Sequence, residues 1–176
     1  IFSRDFSQPL ANSLVFCTSL THIVFGTVFS SALGDSLNNC TMLTHIVFGE
    51  CFNHPLDNSL DNCTELTHIT FGDEFVQPLD NSLDNCISLT HLTFGHWFNQ
   101  PLDNVLYNYQ ALTHVSFGYW YNQKIDLPFQ LRSLRLNCSN LYLIEHLPDG
   151  IEELELGMHF NLELSNLPSS IKKITF

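Results

Sequence analysis

Lysine and arginine are scarce. The 176 residues carry six of them against 18 aspartates and glutamates, a formal net charge of −12. Between residues 5 and 123 there are eleven acidic residues and no lysine or arginine. Nucleic-acid binding draws its affinity from basic groups that displace phosphate counterions, so this charge excludes it, together with docking on an anionic membrane. It leaves a cationic patch on a partner, or acidity kept for solubility alone. Long apolar runs are also missing. Crossing a bilayer takes roughly 20 consecutive apolar residues, and no stretch approaches that, which excludes membrane insertion. No basic, apolar, small-residue opening marks a signal peptide, and the chain begins at Ile1, so a fragment of a longer protein is expected. Catalytic signatures are absent: there is no Gly-rich phosphate loop, no His-Glu-x-x-His and no Gly-x-Ser-x-Gly elbow. No catalytic residue, cofactor or metal site is therefore assigned.

What is present is repetition. Leu20-Thr-His-Ile-Val-Phe-Gly26 returns at Leu43, Leu66, Leu89 and Leu112, and Phe25, Phe48, Phe71, Phe94 and Phe117 stand 23 residues apart. Self-similarity at such a period marks a solenoid, in which no unit buries its own apolar face and stacking makes one continuous core. Leu-x-x-(Ile/Leu/Val)-x-(Phe/Leu) alternates with the period of a half-buried strand. Leu89, Leu92 and Phe94 are expected inside and His91 and Thr93 outside, with Gly95 allowing a sharp turn. Ser82–Cys86 suits one short helical turn. The closing residues continue as Leu136, Leu156 and Phe176, with steps of 19 and then 20, and the entry becomes Leu127-Pro128, Leu147-Pro148 and Leu167-Pro168. The expectation is one repeat domain over 1–176, with 23-residue coils over 1–123 and shorter Leu-Pro coils over 124–176. The fold class is a right-handed, mainly β, leucine-rich-repeat-like solenoid of about eight coils, a parallel strand in each.

Phe52-Asn-x-Pro-Leu56 and Phe98-Asn-Gln-Pro-Leu102, joined to Leu-Thr-His-Leu-Thr-Phe-Gly, resemble FNIP repeats, a leucine-rich-repeat-like family of slime moulds and giant viruses of amoebae. Cys86-Ile-Ser-Leu89 also resembles BspA-type leucine-rich repeats. The first resemblance implies the substrate-recognition part of an F-box ubiquitin-ligase adaptor; the second implies a cell-surface or secreted adhesin. Either way a protein partner is expected. Ser30 and Val76 depart from the FNIP pattern by replacing its asparagine.

Stacking turns each repeat position into a column. His22, His45, His68, His91 and His114 form an outward ladder, read as stacked or hydrogen-bonded imidazoles with depressed basicity, since adjacent charges repel. Cys17, Cys40, Cys63 and Cys86 are read as free apolar fillers, because stacked side chains point alike and do not face one another. That favours a reducing, intracellular compartment, the host cytoplasm if the protein is viral. The asparagines of the Asp57-Asn58, Asp80-Asn81 and Asp103-Asn104 pairs are expected to satisfy turn backbone, and so are Asn39, Asn62, Asn85 and Asn108. Arg132, Glu152 and Lys172, and separately Arg135 and Glu155, should pair across strands. The residues after each strand glycine vary most, and both tryptophans fall there. The candidate partner-binding residues are His91, His114, His96, Trp97, Tyr119, Trp120, Tyr121, Arg132 and Arg135. Phe2 and Phe176 leave the ends without polar caps, so self-association through them is a further expectation.

Overall fold

The computed structural model describes residues 2–103 and 105–176. It is a parallel β-solenoid, as the period predicts: eight strands lie in one sheet in chain order. They are β1 (His22–Val24), β2 (His45–Val47), β3 (His68–Thr70), β4 (His91–Thr93), β5 (His114–Phe117), β6 (Ser133–Leu136), β7 (Glu153–Leu156) and β8 (Lys173–Thr175). Parallel neighbours need a crossover of about a dozen residues or more, and the rest of each repeat unit supplies it. Pairing is like over like: His22, His45, His68, His91 and His114 are mutual partners along β1–β5.

Seven side chains of one coil, Leu43, Ile46, Phe48, Phe52, Leu56, Leu60 and Cys63, are at most 3% exposed. Alternation along the strand aims the isoleucine and phenylalanine inward, and the connecting segment closes over them. Each apolar side chain so buried contributes about 1.5–3 kcal/mol, but only because a neighbouring coil covers it. Phe25, Phe48, Phe71, Phe94 and Phe117 stack in one file at 5.4–5.7 Å. A second file runs through Phe29, Phe52, Phe75 and Phe98 at 6.1 Å.

Long and short coils differ in one backbone bond. In the long coils Leu43 N–H donates to the Cys40 carbonyl (3.0 Å), while Cys40 N–H donates to the Leu37 carbonyl (2.8 Å). In the short coils Leu131 N–H donates to Pro128 and Ile151 N–H to Pro148, both at 3.0 Å. Proline therefore stands where cysteine stood. It keeps the acceptor but has no N–H, so it cannot make the bond that Cys40 gives to Leu37.

The strand glycines serve a different purpose from the expected turn. A Cβ on Gly49, Gly72, Gly95 or Gly118 would collide with the carbonyl oxygen of the glycine one coil earlier. Close approach of backbone to backbone, not a special dihedral, demands glycine there. Short helical turns occur at Gly34–Leu37, Leu106–Asn108 and α1 (Leu141–Glu145), whereas within Ser82–Cys86 residues 82–85 are simple turn and Cys86 is irregular. Asn140 holds α1 in place: its Oδ1 accepts from Leu143 N–H (3.3 Å) and its Nδ2 donates to the Gln123 carbonyl (2.9 Å).

Backbone satisfaction by asparagine occurs as expected at Asn39 and Asn62, and also at Asn53 and Asn99. Asn39 donates to the Val15 carbonyl at 2.8 Å and Asn62 to the Asn38 carbonyl at 3.1 Å. Asn53 Oδ1 accepts from Val76 N–H and Asn99 Oδ1 from Asn122 N–H. Val76 N–H thus donates to Asn53, but Val76 has no side-chain oxygen to accept from the next coil in turn. Asp57 and Asp80 take φ of 45° and 39°, a left-handed conformation that aspartate tolerates. Asn104 lies outside the described residues.

Candidate functional site

The outward face of β1–β5 is a row of imidazoles. Successive rings from His22 to His114 stack with centroids 4.0–4.2 Å apart and planes within 13°. Each is fixed by the threonine before it. Nδ1 of His45, His68, His91 and His114 lies 2.8 Å from Oγ1 of Thr44, Thr67, Thr90 and Thr113. Those hydroxyls in turn donate to the threonine carbonyl one coil earlier: Thr44 to Thr21 (2.9 Å), Thr67 to Thr44 (3.0 Å) and Thr90 to Thr67 (3.0 Å). A hydroxyl has one proton. Since that proton goes to a carbonyl, the imidazole must donate from Nδ1, which leaves Nε2 as a lone-pair acceptor. Loss of water and then the neighbouring imidazoles push His45 and His68 below the ordinary histidine value, and His91 down to about 4. The face is thus a row of acceptors. Among the described residues no group of three or more histidines, cysteines or carboxylates is placed to hold a metal.

The strand glycines open a rim that stays hydrogen-bonded from coil to coil. Cys51 N–H donates to Thr27 C=O (3.0 Å), Glu74 to Glu50 (2.9 Å), Trp97 to Asp73 (3.0 Å) and Trp120 to His96 (3.0 Å). One file therefore reads Thr27, Glu50, Asp73, His96, Tyr119, and its neighbour Val28, Cys51, Glu74, Trp97, Trp120. The tryptophans stack at 5.7 Å and 15°, yet stay 55% and 51% exposed. His96 is tied to Asp73, Nδ1 to Oδ1 at 2.6 Å, on the surface. Tyr119 packs edge-on against Trp120 (4.9 Å) and against His159 (4.6 Å). A cleft of about 230 Å³ opens here between Tyr119, Trp120, Asn122, Ser139 and His159.

His159 escaped the sequence reading, although the signal existed: it stands two residues after Gly157, as Trp97 does after Gly95. Asp73 was missed as the partner of His96 for want of any way to judge orientation.

Tyr121 needs correction. Expected among the contact residues, it is 1% exposed. It continues the second phenylalanine file, 6.1 Å from Phe98 and 4.0 Å from Phe117, so its ring is core. Among the described residues its hydroxyl has no hydrogen-bond partner, and neither has that of Tyr109. Arg132 also departs from expectation. Its guanidinium donates to the carbonyls of Phe129, Leu131 and Gly150 at 3.1–3.3 Å and not to Glu152, which pairs with Lys172 at 2.7 Å. Arg135 does pair with Glu155, at 3.3 Å. It borders a groove with Asp73, Thr93, His96 and Ser116. The cysteines are free, and burial, reinforced by the neighbouring cysteine, pushes the thiols of Cys63 and Cys86 up to about 12.

Residues 11–113 match six copies of the BspA type leucine rich repeat region. The chain belongs to the BspA-type leucine-rich repeat family. Residues 143–176 match the FNIP repeat, so the two resemblances divide this BspA-type chain along its change of coil length. Among solved structures it is similar to CroV588, described as a novel circular LRR protein and coming from a giant virus. That likeness has 31% identity and a TM-score of 0.70, and covers 90% of this chain but 24% of that one. The BspA-type chain thus spans about a quarter of that relative's length. No curated protein matches it. Repeats of this class are typically non-enzymatic scaffolds for protein–protein interaction.

Proposed function

We propose that this chain recognises a protein partner along the rim centred on Trp97 and Trp120. The observation that carries this reading is the pair's half-exposure despite their mutual stacking: the solenoid is complete without them, and both remain open to a partner. Tryptophan and tyrosine dominate binding hot spots because they bury large area at little entropic cost. A rigid stack of coils holds them in place, so little ordering is needed when the partner arrives. No catalytic step is part of this reading.

Within it, we read the chain as the substrate-recognition part of an F-box ubiquitin-ligase adaptor acting inside the cell. Support comes from the FNIP match and from free, buried Cys40, Cys63, Cys86 and Cys138, which suit a reducing compartment. The alternative is a cell-surface or secreted BspA-type adhesin, favoured by the match over residues 11–113. An F-box encoded upstream would support the adaptor, and a signal peptide the adhesin. The contact face is tested by capture from host-cell lysate with the unaltered chain and with Trp97→Ala/Trp120→Ala. Partners lost from the double variant support the face; an unchanged set removes it.

A further inference from the structure

We propose that the rim of Glu50, Asp73, Glu74, Trp97 and Trp120 binds an extended, arginine-bearing segment of a partner protein, a guanidinium lying on an indole face and pairing with a carboxylate one coil away. This rests on the rim being the contact face.

The rim ladder places Glu74 directly beside Trp97 in one file, and Glu50 beside Asp73 in the next. Neighbouring coils are about 4.8 Å apart, within reach of one guanidinium that stacks and pairs at once. Glu50 and Glu74 are exposed, and among the described residues neither has an ion-pair partner. The nearest arginines are Arg4, two coils before Glu50 in the same file, and Arg135, which borders Asp73 but pairs with Glu155; neither is ion-paired with Glu50 or Glu74. Indole faces attract cations through the ring quadrupole. Guanidinium suits this rim better than ammonium, because it is planar, weakly hydrated and forked towards carboxylates.

The neighbouring sheet face argues the same way independently. With every Nδ1 proton of His45, His68 and His91 given to a threonine, those imidazoles offer only Nε2 acceptors. Carboxylates also only accept. An arginine side chain has five donors and no acceptor, so it matches the surface in sign and in hydrogen-bond sense.

Trp97 and Trp120 are the two tryptophans of the chain, so its indole emission reports on this rim alone. The chain is titrated with the blocked peptide Gly-Arg-Gly-Arg-Gly and with its citrulline and lysine counterparts. The expected result is a saturable emission change with the arginine peptide, at least tenfold weaker binding of citrulline, and intermediate binding of lysine. Glu50→Gln/Glu74→Gln should weaken the arginine peptide at least fivefold. Asp57→Asn/Asp80→Asn removes the same charge from a separate cleft and should leave it unchanged. Equal binding of citrulline, an unaffected Glu50→Gln/Glu74→Gln variant, or no emission change overturns the arginine assignment. If lysate partners are still lost from the tryptophan double variant, the contact face survives that failure; if they are retained, both readings fall.

Discussion

Thr90 Oγ1 lies 2.8 Å from Nδ1 of His91 while giving its own proton to the Thr67 carbonyl 3.0 Å away. One hydroxyl thereby links two coils and sets the tautomer of the imidazole beside it. Thr90→Val removes both bonds and leaves the Thr67 carbonyl without its hydroxyl donor. A loss of about 1–2 kcal/mol is expected in urea unfolding. Nitrogen chemical shifts should show His91 protonated on Nδ1 in the parent and a mixture of tautomers in the variant.

Acid should loosen the ladder. His91 is held at about 4 against an ordinary 6.5, and His45 and His68 are also lowered. The unfolded chain therefore binds more protons than the folded one as pH falls through 6.5, so stability is lost in that direction. It should be level above pH 6.5, and the contribution of His91 should be gone near pH 4. Urea midpoints across this range check it, and His91→Gln should flatten the slope.

Gly72 and Gly34 separate two reasons for glycine. At Gly72 a Cβ meets the Gly49 carbonyl, so Gly72→Ala must push coils apart, at about 3 kcal/mol or more. At Gly34 φ is +50° but nothing lies within 4 Å, so Gly34→Ala should cost about 1–2 kcal/mol. Equal thermal shifts for the two would contradict the stacking account.

Tyr121→Phe tests whether that ring is core. Removing a buried hydroxyl with no partner should leave stability unchanged or raise it by about 1 kcal/mol. Tyr121→Ala should cost about 3–5 kcal/mol. A partner-binding defect in the phenylalanine variant, without loss of stability, would return Tyr121 to the contact surface.

Much of the fold was legible because repetition multiplies a weak signal. One Leu-x-x-Ile-x-Phe is ambiguous, but five at a constant interval fix strand, register and which side chains face inward. The His22–His114 ladder and the stacked phenylalanines could be read in this way. Tyr121 was legible by the same rule, since it stands 23 residues after Phe98 in the file Phe6, Phe29, Phe52, Phe75, Phe98, but the adjacent Tyr119 and Trp120 masked it. Arg132 was misjudged because charge complementarity with Glu152 is visible in sequence, whereas the carbonyls of Phe129 and Gly150 are not.

The sequence by itself determined the coil, its length, its apolar file and the surplus of carboxylates, because all of these follow from periodicity and residue type. Tertiary structure decided which hydrogen bond each threonine makes, which aromatic is left in water, and why glycine follows every long-coil strand. Those depend on what the adjacent coil presents within a few ångströms, and that is a property of stacked backbones.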